Sequence, residues 1–142
     1  MRRIIQFAAS VIGLLGLGDS IYLTVHHYNA TAVPCSITGG CETVLTSAYA
    51  EIAGVPLSLF GAAAYFAAFA LAFLAAYGND TAWKLFGALA TIMALFSAWL
   101  IFIQAYYLNA FCQFCLLSAL TSFTLFILFI VSIFVRRPIE TV

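Results

Sequence analysis

Apolar residues run almost unbroken through four stretches of the chain, 4–25, 55–77, 85–108 and 112–135, and the polar residues gather in the gaps between them. Each stretch is long enough to cross a hydrocarbon core of about 30 Å at about 1.5 Å per helical residue. Only the first carries a formal charge, at Asp19. The pattern predicts an all-α membrane protein, a four-transmembrane-helix bundle, with residues 1–142 forming a single integral membrane domain. The gap "GNDTAW" reads as a tight helical hairpin with Gly78 as C-cap and Asp80 or Thr81 as N-cap. In the second stretch Gly61, Ala62, Ala63, Ala64, Ala67 and Ala68 predict close helix contact.

The one long gap, His26 to Gly54, falls into two parts. An irregular "NATAVPCSITGGC" is followed by "ETVLTSAYAEIAG", in which Val44, Leu45, Ala48 and Ile52 recur at helical spacing while Glu42, Thr46 and Glu51 occupy other faces. This predicts a short interfacial helix inside a long first outer loop.

Composition agrees with a membrane protein: 65% of the residues are hydrophobic and 7% charged, against about 25% charged in soluble proteins. No nucleic-acid partner is expected. The formal net charge of zero conceals an asymmetry, because Arg2, Arg3, Lys84, Arg136 and Arg137 fall at the N-terminus, in the second gap and at the C-terminus. With four spans those places share one side, cytoplasmic by the positive-inside rule. The chain is then expected in the cell (inner) membrane with both termini cytoplasmic. The first and third loops face outward, and all four cysteines lie on the oxidising, extracytoplasmic side. Tyr106, Tyr107 and Phe111 outside and Trp83 inside read as interface anchors, and His26 and His27 as exposed interfacial residues. A signal peptide is the competing reading of the N-terminus, since Ala30-Thr31-Ala32 resembles a cleavage site. The first apolar run is longer than a signal h-region of roughly 7–15 residues, and an intramembrane Asp19 suits a retained bundle helix.

The cysteines come as Cys35-x5-Cys41 in the loop and Cys112-x2-Cys115 at the start of the last stretch. Structural disulfides, a metal site and a redox relay are all possible with this set. The five-residue gap lies outside the spacing of about two to four residues usual in zinc knuckles. A bridge meant for stability gains little from so short a loop as Cys112-x2-Cys115. At a helix start, by contrast, the dipole favours the anionic sulfur through which thiol–disulfide exchange proceeds. One pair could then meet a soluble partner and pass electrons to the other. Cys115 would lie one turn, roughly 4.5 Å, deeper than Cys112, among Phe114, Leu116 and Leu117. An acceptor reaching it from the bilayer would be lipid-soluble, a quinone. Asp19, costly inside a span unless paired, hydrated or neutral, reads either as a polar contact between helices or as a proton donor or relay to reduced quinone.

The order of these pieces resembles the vitamin K epoxide reductase family, specifically its small prokaryotic members, over essentially the whole chain. The residues that carry the resemblance are Asp19-Ser20-Ile21-Tyr22-Leu23, the pair Cys35 and Cys41, Ser47 six residues later, "GVPLSLFG" opening the second span and "CQFC" opening the fourth. The DsbB type of quinone-linked thiol oxidase also has four spans but carries its CxxC in the first outer loop and its spaced pair in the second. It is the alternative, together with a non-enzymatic, disulfide-stapled interaction module. The resemblance implies a four-helix bundle around a quinone pocket near Cys115. It also implies a thioredoxin-like (DsbA-like) partner on the outer side, a separate protein because this chain carries no fused thioredoxin-like domain. By the same resemblance Cys35 exchanges with the partner, Cys41 shuttles electrons to Cys112, Cys115 faces the quinone and Ser47 holds the loop near the active pair. Leu57, Phe60, Phe114 and Ala119 are the expected quinone contacts, the quinone being of ubiquinone, menaquinone or vitamin K type, with no metal. Vertebrate members place Asn and Tyr where Leu57 and Ala119 align, which favours a general quinone reductase over a selective epoxide reductase.

Overall fold

The computed structural model describes residues 2–29, 51–52, 54–108 and 113–140. Four helices dominate: α1 (Arg2–Tyr28), α2 (Leu57–Ala76), α3 (Asp80–Ile103) and α4 (Gln113–Glu140). All four are long and apolar enough to cross a membrane, over Arg3–His26, Leu57–Ala76, Asp80–Tyr107 and Gln113–Val135. A π-helical turn, Gln104–Leu108, follows α3, and Tyr106 and Tyr107 on it are exposed, as interface anchors would be. The helices close a ring: α1 packs on α2 and α4, and α3 packs on the same two.

Much of what turns inward is small or polar, with a few large rings and aliphatic side chains among it. The core is built on Ala9, Ala68, Ala72, Ala75, Ala82 and Ala90 with Tyr65, Trp83, Phe86, Met93 and Leu125. Ile4, Phe66, Leu74, Ile92, Leu95, Leu120 and Phe134 are exposed. Lipid tails are as apolar as leucine, so burial of large side chains does not drive these helices together. Close backbone approach and hydrogen bonds do. Two aromatic rings exploit this. A Cβ on Gly16 would overlap the ring of Tyr65, and one on Gly87 would overlap that of Phe129. Of the small residues of α2 expected at a contact, Ala62 and Ala68 are buried, whereas Ala63 is exposed.

Three expectations need correction. Trp83 is not an interface anchor: it is 3% exposed, stacks on Phe86 at 4.6 Å between ring centroids and donates Nε1–H to Ser132 Oγ at 2.9 Å. An indole N–H needs a partner when buried, and Ser132 supplies one. In the hairpin, Gly78 follows the capping Tyr77 at φ 107, a conformation that favours glycine. The N-cap of α3 is Asn79, not Asp80 or Thr81; its Oδ1 accepts from the Ala82 amide at 3.0 Å.

The third correction concerns the entry to α2. The expected interfacial helix over 42–54 lies outside the described residues as far as residue 50, and its end is not helical. Glu51–Ile52 (β1) pairs antiparallel with Val55–Pro56 (β2), joining Glu51 to Pro56 and Ile52 to Val55. Gly54, at φ 81, makes the turn. A proline disfavours helical backbone in the residue before it. Val55 is therefore extended, Pro56 is the N-cap, and the helix starts at Leu57 rather than Val55.

Candidate functional site

α4 begins at Gln113, and its third residue is Cys115. The side chain of Cys115 is half-buried. Cys112, Cys35, Cys41 and Ser47 lie outside the described residues.

Along the seam between α1 and α4 runs an open groove of about 380 Å³, lined by Leu14, Leu15, Gly18, Asp19 and Tyr22 from α1 and by Phe114 and Leu117 from α4. Sites for small molecules commonly enclose roughly 300–1,000 Å³. The α1 residues fall on one helical face because their spacing follows the i, i+4, i+8 progression. At one end the ring of Tyr22 meets that of Phe114 at 5.3 Å and that of His26 at 4.4 Å. The lining is apolar apart from Asp19 and the Tyr22 hydroxyl. Asp19 Oδ2 is buried and has no hydrogen-bond partner among the described residues. A carboxyl oxygen left so in an apolar setting is costly and marks a candidate functional position. A protonated Asp19 would donate to a carbonyl oxygen of a flat, lipid-soluble head group lying in this groove.

Behind the groove the bundle holds a second polar feature. Tyr65 of α2 is 1% exposed, and its hydroxyl reaches across to α4. It donates to the Ser118 carbonyl at 2.6 Å and lies 2.9 Å from both Ser118 Oγ and Ser122 Oγ. Where the end of α1 meets the start of α2, Thr24 donates to the Ser20 carbonyl at 2.8 Å and pairs with Ser58 Oγ at 2.9 Å.

Of the residues expected around a quinone, Phe114 lines the groove. Leu57 is half-buried at the start of α2, Phe60 is exposed and Ala119 is buried, and none of the three lines it. Sequence reasoning singled out Asp19 and passed over Tyr65, Ser118 and Ser122. A signal was available: Tyr65 is the one side chain able to donate a hydrogen bond between Ser58 and Tyr77, and Ser118 and Ser122 stand at i and i+4 on one face of α4.

A sequence model described as the Vitamin K epoxide reductase family matches residues 7–130 of the 142. That interval takes in Asp19, the groove, Tyr65 and all four cysteines. No curated protein matches the chain.

Proposed function

The chain belongs to the vitamin K epoxide reductase family of membrane oxidoreductases, and from that premise we propose that it reoxidises a thioredoxin-like protein and passes the electrons to a quinone. The partner, a separate protein on the outer side, brings a dithiol to the Cys35–Cys41 disulfide. Its thiolate bonds to Cys35 and expels Cys41; its second thiol then releases Cys35 and closes the partner's disulfide. Cys41 attacks Cys112 and expels Cys115, and Cys35 attacks Cys41 to restore the loop disulfide. The reduced Cys112–Cys115 pair gives two electrons and two protons to quinone, yielding quinol and the CxxC disulfide. Electrons and protons balance, and the net result is one disulfide made per quinone reduced.

The observation that carries this reading is the company Cys115 keeps. It sits in the first turn of α4 beside Phe114 and two residues before Leu117; both of those line a groove that also holds Asp19 and Tyr22, and Cys115 borders that groove in sequence without lining it. Asp19 would hold a proton near the head group, Ser47 would keep the loop pair close, and Leu57, Phe60 and Ala119, outside the lining of the groove, would border the acceptor's approach. With no polar group at Leu57 or Ala119 to single out an epoxide, a general quinone is the expected acceptor. The clustering of Arg2, Arg3, Lys84, Arg136 and Arg137 supports an extracytoplasmic side for the cysteines, where disulfide formation is useful. The order of the cysteine pairs and the family match together argue against the DsbB type.

The test is dithiol-dependent quinone reduction by the purified protein in liposomes, with a reduced thioredoxin-like protein as donor and short-chain ubiquinone or menaquinone analogues as acceptors. Turnover with either analogue supports the reading. Donor oxidation no faster than in protein-free liposomes would refute it.

A further inference from the structure

We propose that Tyr65 is a positioning residue for Cys115, fixing the depth and rotation of its sulfur by clamping α4 one turn further in. Ser118 follows Cys115 by three residues, so the Tyr65 hydroxyl grips the helix about 4.5 Å inward of the cysteine. The grip is a triple one. Tyr65 has a single proton, and giving it to the Ser118 carbonyl at 2.6 Å leaves its oxygen to accept from Ser118 Oγ and Ser122 Oγ, each at 2.9 Å. A hydroxyl engaged on every side, on a residue 1% exposed, has no capacity left to touch an acceptor. Tyr65 therefore acts through α4.

Sliding of α4 is opposed at its far end by the hydrogen bond from Trp83 to Ser132 and by Phe129 against Gly87, and close to Cys115 by the Tyr65 cluster. A directional hydrogen-bond cluster resists such a shift. The ring in turn is held from behind by Gly16 of α1, where a Cβ would overlap it. Three helices thus meet at one phenol immediately inside the CxxC. The bearing of this on turnover rests on the reading of Cys115 as the cysteine that faces the acceptor. The position of its sulfur can be measured without that reading.

The experiment uses the full chain in liposomes with Cys35, Cys41 and Cys112 replaced by Ser, and reads the rate at which a lipid-soluble maleimide alkylates Cys115. Three variants are compared: Y65F; the triple Y65F/S118A/S122A, which also removes the serine hydroxyls that Y65F would orphan; and S118A/S122A, which keeps the bond from Tyr65 to the Ser118 carbonyl. A several-fold change in rate is expected for Y65F and for the triple, and a smaller change for S118A/S122A. With all four cysteines present, the same two Y65F-containing proteins should lose about tenfold in kcat for quinone reduction with KM unchanged, as expected when a reacting atom is misplaced. If the triple recovers the wild-type alkylation rate, Tyr65 merely satisfies two buried serines and the proposal fails. It fails equally if Y65F has no effect, or if S118A/S122A shifts the rate as much as the triple. A wild-type protein without quinone turnover would sink the oxidase reading and leave the alkylation rates to decide on Tyr65.

Discussion

Trp83 at the start of α3 donates its indole N–H to Ser132 near the end of α4, at 2.9 Å, and Ser132 passes its own proton to the Phe129 carbonyl at 2.6 Å. The relay ties two helices at the end of the bundle remote from Cys115. Replacing Ser132 with Ala should lower stability by about 1 kcal/mol, in the range measured for hydrogen bonds between membrane helices. Thermal unfolding in detergent would show this, while turnover per folded molecule should stay at the wild-type value. A loss of turnover with unchanged stability would mean that this end of the bundle takes part in the reaction.

The glycines offer a contrast within one protein. Gly87→Ala drives a Cβ into the Phe129 ring, whereas a Cβ on Gly18 meets nothing within 4 Å. The first should destabilise by about 1–3 kcal/mol, as overpacking does. Gly18→Ala should leave the melting temperature unchanged or slightly higher. Gly18 also lines the groove, so Gly18→Leu should raise KM for quinone several-fold while leaving exchange between the loop cysteines and the donor intact. An unchanged KM would remove the groove from the quinone's path.

Asp19 carries the test of function against stability. Its Oδ2 is buried without a partner among the described residues, and an acidic side chain at the centre of a span costs about 2.5–3.5 kcal/mol on insertion scales. Asp19→Leu should therefore raise the melting temperature. If the carboxyl handles a proton for the acceptor, the same variant slows quinone reduction. A variant that is more stable and equally fast would make Asp19 a helix–helix contact only.

Topology is testable in cells. All five basic residues lie on the side assigned to the cytoplasm. Single-cysteine variants retaining Cys35 or Cys41 should react with an impermeant thiol reagent from outside, and a cysteine engineered beside Lys84 should not. Labelling at the Lys84 position in intact cells would reverse the orientation.

The number and approximate limits of the helices were legible in the sequence because a bilayer demands an unbroken apolar length. Which face of each helix turns inward was not, because lipid and core are equally apolar. Trp83, beside a charged loop, reads as an anchor, and only the position of Ser132 on another helix makes it a core residue. Asp19 stood out since charge in a span is costly. Tyr65 did not, since a lone tyrosine among alanines acquires meaning only when Ser118 and Ser122 arrive from α4. Pro56 and Gly54 signalled a break before α2, although the periodicity of Val44, Leu45, Ala48 and Ile52 pointed to a helix running up to it. Leu57, Phe60 and Ala119 came from resemblance alone, and their places in the bundle follow from packing that no local pattern encodes.

The central claim is that Cys115 is the exit through which thiol electrons reach a lipid-soluble acceptor. It is tested most directly by counting products in sealed liposomes, namely donor disulfide and quinol formed by the wild-type protein and by Cys115→Ala over the same interval. The wild type should form one quinol per donor disulfide. Cys115→Ala should form no quinol above background while still undergoing a single round of disulfide exchange between the donor and Cys35–Cys41. Quinol formation by Cys115→Ala at the wild-type rate would rule out Cys115 as the exit, as would donor oxidation by the wild type without a matching yield of quinol.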